Sequence, residues 1–137
     1  MAGETELTKQ QFRLNGLADA WLPKPRSYTF ELRAIGEQLD EGETPMAVYV
    51  GCWDSSTFDG LLVITDRNLR FARFRWLRRS LSHQLPLTEI RDASLAPDDG
   101  EVVEIDLVDG TSLALRSTDP NRPRAGLVEA LTSHLVG

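Results

Sequence analysis

The residues best suited to chemistry lie close together, between positions 67 and 79. Arg67, Arg70, Arg73, Arg75, Arg78 and Arg79 alternate there with Phe71, Phe74, Trp76 and Leu77, and no acid interrupts them. A guanidinium grips carboxylate or phosphate with two parallel hydrogen bonds, and neighbouring aromatics add contact area. The chemistry this suggests is recognition rather than catalysis. Arg67, Arg70, Arg73, Phe74, Arg75, Trp76, Arg78 and Arg79 form the candidate interaction surface. On a strand, Arg73 and Arg75 share one face while Ala72, Phe74 and Trp76 share the other, so a regular strand cannot aim them all at one pocket. Arg78 and Arg79 fall in the turn that follows and are freer to reach outward.

Catalytic and metal-binding types are sparse by comparison. Cys52 is the single cysteine, which excludes an internal disulfide and a multi-cysteine zinc site. It reads as a buried or half-buried thiol in a strand. His83 and His134 stand alone in sequence, without metal-ligand spacing. A triad of Cys52, His83 and an acid needs no sequence proximity, but nothing in the chain draws these residues together. Asp54 and Asp59 flank Ser55, Ser56 and Thr57. Without a glycine-centred oxygen pattern they read as turn caps rather than a cation site. No enzyme, cofactor or metal is therefore expected.

The formal net charge of −6 argues against non-specific nucleic-acid binding. That average hides a segregation. Asp98, Asp99, Glu101, Glu104, Asp106 and Asp109 occupy a second segment that contains no base. An acidic partner, or this acidic segment in another copy, would complement the arginines. An anionic phospholipid headgroup is the competing ligand. The chain is 41% hydrophobic and 26% charged over 137 residues, a composition that suits one folded domain. No run approaches the roughly 18 apolar residues of a membrane span. The start, Met1 to Glu6, lacks the basic and apolar regions of a signal peptide. A cytoplasmic location follows as the expectation, with peripheral attachment at the inner face of a membrane as its variant.

The elements that must position these residues are mostly strands. Leu61 to Ile64, the turn Thr65-Asp66-Arg67-Asn68 and the alternation from Leu69 predict an antiparallel hairpin, strands two and three. Met46 to about Trp53, with Met46, Val48 and Val50 on one side and Ala47, Tyr49 and Gly51 on the other, is strand one. Leu81, His83 and Leu85 mark strand four, and Ile90 to Leu95 strand five. Val103, Ile105 and Leu107 mark strand six; Asp109-Gly110 is a hairpin turn into Leu113 and Leu115. Tyr28, Leu32, Ile35 and Leu39 make one stripe of a helix over 27–39, with Ser27 as a cap candidate and Gly36 as a site of close packing. Leu127, Val128, Leu131 and Leu135 stripe a final helix over 124–135, with Pro123 in its first turn. Residues 1 to about 20 read either as a short docking helix or as a loose arm. The division expected is an N-terminal arm and amphipathic helix over 1–41 and a β domain over 42–137.

The order of these elements resembles a known family. Gly42-Glu43, then Gly60-Leu61-Leu62-Val63-Ile64-Thr65-Asp66-Arg67-Asn68-Leu69-Arg70-Phe71, then Leu85-Pro86-Leu87-Thr88-Glu89-Ile90 and the Asp109-Gly110 hairpin are similar to bacterial pleckstrin-homology-like domains of the YokE-like group. The resemblance covers about residues 42 to 136. It implies a strongly bent, seven-stranded antiparallel barrel capped by the C-terminal helix, here with an additional N-terminal helix. It also implies a binding scaffold and transfers no catalytic residue. Eukaryotic pleckstrin-homology domains hold phosphoinositides mainly through the loop between strands one and two. Here that loop, 53–59, has no Lys or Arg and two acids, which departs from the lipid-binding pattern. The expected function is a non-catalytic protein-interaction or scaffold module, possible self-association included.

Overall fold

In a computed structural model, residues 2–22, 24–53, 59–74, 81–96, 102–117, 128–129 and 131–132 are described. Side chains are described from residue 9 onward. Helix α1 runs Ala2–Trp21. A 3-10 turn, Pro25–Tyr28, leads into α2, Thr29–Gln38. Seven strands follow: β1 Pro45–Trp53, β2 Gly60–Thr65, β3 Asn68–Arg73, β4 Leu81–Pro86, β5 Ile90–Leu95, β6 Val102–Leu107 and β7 Ser112–Ser117. They form one antiparallel sheet in the order β4-β3-β2-β1-β7-β6-β5.

Period-two alternation sorts the side chains of the central strands into two apolar clusters. Tyr49, Leu62, Ile64, Leu69, Phe71, Val103, Ile105 and Leu115 form one cluster, the inner one, where Leu131 also buries completely and Val128 packs. Residues 128–129 and 131–132 are helical; the rest of the expected helix over 124–135 lies outside the described residues. Val48, Val50, Leu61, Val63 and Ala72 point the opposite way, under α1 and α2. The predicted stripe holds there: Leu32, Ile35 and Leu39 are buried and Tyr28 packs beside them. Ser27 is not the cap. It falls inside the 3-10 turn, and α2 begins at Thr29 with no side-chain cap bond.

Residues 1 to about 20 were open between helix and arm. The structure has a 20-residue helix with Leu14 and Ala18 fully buried in the outer cluster. The polar run Gln10, Gln11, Arg13 disguised it, because each of these side chains is used on backbone carbonyls. Gln10 Nε2 donates to Asp40 O and Glu43 O at 2.8 and 2.7 Å, Gln11 Nε2 to Leu32 O at 3.2 Å and Arg13 Nε to Pro45 O at 2.8 Å. Gly36 lets α1 approach, since a Cβ there would meet the Gln11 carboxamide.

Two expectations need correction. The sheet does not close into a barrel: β4 and β5 are its two edges among the described residues. Pro86, at the end of β4, has no amide to continue a ladder, and the next amide, Leu87 N–H, bonds back to Arg67 O at 2.9 Å. The chain then turns through Leu87–Glu89 into β5. Met46 does not share the buried side of Val48. A register shift between Pro45 and Ala47 leaves it exposed.

Candidate functional site

Strand β3 positions the first half of the arginine-rich segment, and alternation along it decides each side chain's fate. Leu69 and Phe71 enter the cluster that holds Leu131. Arg70, Ala72 and Phe74 fall on the helix-covered side, the side to which Glu43 is also brought. Gly42 makes this possible: its φ of +79° closes the turn in which Glu43 N–H bonds Asp40 O at 3.0 Å. Glu43 then points inward, with no exposed surface.

Arg70 is only 1% exposed and pairs with Glu43 through two bonds, Nη2 to Oε1 at 2.7 Å and Nε to Oε2 at 2.9 Å. Thr65 Oγ1 donates to Glu43 Oε2 at 2.6 Å, Asn68 Nδ2 donates to the same oxygen at 3.1 Å, and Asp40 N–H donates to Oε1 at 3.0 Å. Gln84 accepts from Arg70 Nη1 and donates to Asn68 Oδ1, both at 3.2 Å. Burial alone would raise the Glu43 pKa. The bonds from Arg70, Thr65, Asp40 N–H and Asn68 outweigh it and hold the carboxyl at about 2. Thr65 Oγ1 also accepts the Asn68 and Arg67 amides at 2.9 and 3.1 Å, which ties the hairpin turn to the same centre. This cluster is a structural ion pair with its lone pairs filled, not a surface. Arg70 therefore lies inside the fold rather than on the candidate interaction face.

Arg67 sits in the β2–β3 turn, exposed, with Nη1 on Glu41 O at 2.9 Å. The length of β3 separates it from Arg73 and Phe74 at the other end. Phe74 is 39% exposed, and its ring stacks on Phe30 of α2 with centroids 4.5 Å apart and planes 17° from parallel. Phe30 is 56% exposed. The adjacent Glu31 is buried and accepts a hydrogen bond from Phe74 N–H. Burial pushes its pKa up, although the backbone bonds oppose this. Two successive residues of α2 thus hold Phe74 where β3 ends. Arg73 is half-buried there. Arg75, Trp76, Arg78 and Arg79 lie outside the described residues. The sequence missed Phe30. The signal available was an aromatic residue off the 28/32/35/39 stripe of an otherwise amphipathic helix.

Cys52 and His83 are not brought together. Cys52 follows the phase of Val48 and Val50, whereas Trp53 packs against the cluster of Tyr49 and Phe71. There His83 stacks on Trp53 at 5.0 Å and 9°, with Phe71 at 5.9 Å. Cys52 Sγ instead donates to Asp59 Oδ1 at 3.2 Å. Burial, this bond and the Asp59 charge push the thiol up to about 11, far from a thiolate nucleophile at neutral pH. Asp54 and His134 lie outside the described residues. Among the described residues, no group of three or more His, Cys, Asp or Glu could hold a metal ion, and no helix is long and apolar enough to cross a membrane.

Solved structures share this arrangement. The fold is pleckstrin-homology-like. A pleckstrin homology domain from Shewanella amazonensis matches with a TM-score of 0.54 and 11% identity, over 80% of this chain and 99% of that one. The linker-DH/PH domains of p115-RhoGEF match at 0.59 and 13%, over 93% of this chain but 39% of that one. The C-terminal domain of an unknown protein from Leishmania infantum matches at 0.55 and 19%, over 70% and 87%. No family model matches the sequence, and no curated protein is significantly similar to it. At these identities the likeness establishes the PH-like fold alone.

Proposed function

We propose that this PH-like chain is a non-catalytic protein-interaction or scaffold module that acts in the cytoplasm. Its contact surface is the end of β3: Phe74 with Phe30, Arg73, and the following segment with Arg75, Trp76, Arg78 and Arg79. The observation that carries this reading is the Phe30–Phe74 stack. Two large aromatic rings hold each other in a fixed geometry while both stay accessible, and the sequence directly after Phe74 carries Arg75, Arg78 and Arg79. Rigid aromatic area and arginine are both enriched in interface hot spots. The partner is an acidic protein surface. Arg67, at the far end of β3, contributes to its turn rather than to this surface. Among PH-like domains, the Gly42-Glu43 turn and the Thr65–Arg70 hairpin motif favour placement in the bacterial YokE-like group.

The competing ligand, an anionic phospholipid, uses the same charge. The experiment compares pull-down of a partner, identified and then titrated as a purified protein, with sedimentation on vesicles containing anionic lipid. Wild type, Phe30→Ala and Arg75→Glu/Arg78→Glu are run side by side. The expected result is a protein partner lost in both variants and no vesicle binding at physiological salt. Saturable, headgroup-selective vesicle binding abolished by the double substitution overturns the reading in favour of a peripheral membrane module.

A further inference from the structure

Helix α1 carries a feature that its packing on the sheet does not explain. Its buried side is Leu14 and Ala18, continued by Leu22 just after the helix ends. Opposite that side, Lys9, Phe12, Gly16 and Asp19 follow one another at i, i+3, i+7 and i+10 and are all exposed. Phe12 is 81% exposed, the most exposed large apolar side chain among the described residues. Gly16 sits in the middle of the helix, where glycine costs conformational entropy. A Cβ there would meet nothing within 4 Å, so nothing among the described residues requires a glycine. No hydrogen bond or ion pair engages Lys9 or Asp19 among the described residues.

The pattern is complementary to its own reverse. In an antiparallel pair of identical helices centred at the level of Leu14, Phe12 of each copy faces Gly16 of the other, and Lys9 faces Asp19. Isologous contact of this kind is what a two-fold axis demands. A knob one helical turn from a gap lets the axes approach to about 8–10 Å. The two charge pairs then flank the two aromatic contacts.

We propose that α1 pairs antiparallel with α1 of a second copy of this chain, Phe12 over Gly16 and Lys9 against Asp19. This surface shares no residue with the Phe30–Phe74 surface, so it leaves that surface free in each copy. The named positions span only residues 9–19 and the contact is small. The dimer is accordingly weak and populates at high concentration.

Sedimentation velocity of the full chain, from about 10 μM to about 1 mM, tests this. The expected result is a reversible monomer–dimer equilibrium. Phe12→Ser and Gly16→Leu should each raise the dissociation constant at least about tenfold while the circular dichroism spectrum stays that of the wild type. Lys9→Glu should weaken the dimer, and Lys9→Glu/Asp19→Lys should restore it. A chain that stays monomeric throughout, or a dimer insensitive to Phe12 and Gly16, overturns the proposal. A dimer that needs Phe12 but is not restored by the double exchange overturns the register and the proposal with it. A monomer that sediments on anionic vesicles through Phe12 assigns the surface to lipid instead.

Discussion

Arg70 and Phe74 lie four residues apart and project to the same side of the sheet, yet one is sealed and the other is open. At Arg70 the turn over 40–43 closes above the guanidinium, and Glu43, Asn68 and Gln84 occupy the donors and acceptors around it. At Phe74 the first turn of α2 brings one aromatic ring and one carboxylate. The helical layer, not the strand, makes the difference. A charged residue can be core and an aromatic one surface, depending on what the layer above supplies. The polar end is closed by bonds within the fold, whereas both rings at the apolar end stay exposed.

The sharpest way to break the sealed end is Glu43→Ala. It strands a buried guanidinium and removes the acceptor for Thr65 and Asn68. Losing one partner of a buried pair should cost about 3–5 kcal/mol in urea unfolding. Exchanging both charges, Glu43→Leu/Arg70→Leu, should cost less than the sum of the two single changes, because neither charge is left uncompensated. Additive losses would show that the two residues act independently. Leu32→Ala attacks the layer that covers this side of the sheet and should cost roughly 2–5 kcal/mol. Native-state hydrogen exchange should then show α1 and α2 opening together; protection unchanged in both helices would place Leu32 outside the stabilising contact.

Acid separates the two ends by sign. Glu43 has its folded pKa lowered from 4.5 to about 2. Its stabilisation is complete above the unfolded value and drains away as pH falls from about 4.5 towards 2, in all roughly 3 kcal/mol. Glu31 has its folded pKa raised, so protonation favours the folded state and its effect on stability improves as pH falls through that value. Unfolding free energies against pH should show a shallower acid limb in Glu43→Gln and a steeper one in Glu31→Gln. The same slope change in both variants would contradict these environments.

Much of the fold was legible because apolar alternation is a physical requirement of a sheet with two covered faces. Val48, Val50, Leu61 and Val63 against Tyr49, Leu62 and Ile64 fix register and side together. The Asp109-Gly110 turn was equally readable, with Gly110 at φ +91°. Helix α1 was not, because its docking uses glutamine and arginine side chains on backbone carbonyls rather than a broad apolar stripe. The candidate surface was only partly legible. Arg67, Arg70 and Arg73 look alike in sequence, and their partners, Glu41, Glu43 and the residues around β3, are supplied by chain segments whose approach no local spacing encodes. Phe30 was hidden for the same reason, since its stacking partner is 44 positions away.

The smallest effect on stability should fall at the open end, and that is what makes it informative. An aromatic pair adds about 0.5–1.5 kcal/mol beyond its area, and less where both rings face water. Phe30→Ala should therefore unfold at nearly the wild-type urea concentration. A double-mutant cycle of Phe30→Ala with Phe74→Ala should give a coupling of at most about 1 kcal/mol. Partner affinity should respond far more, because a rigid anchor lost from the centre of an interface costs about 2 kcal/mol or more, some thirtyfold in dissociation constant. Phe30→Tyr keeps the stacked ring and should restore most of that affinity. Were Phe30→Ala instead to cost stability on the scale of Leu32→Ala while leaving affinity untouched, the stack would be a second sealed end. The contrast with Arg70 would then be one of chemistry alone, and the contact surface would have to be sought elsewhere on the sheet.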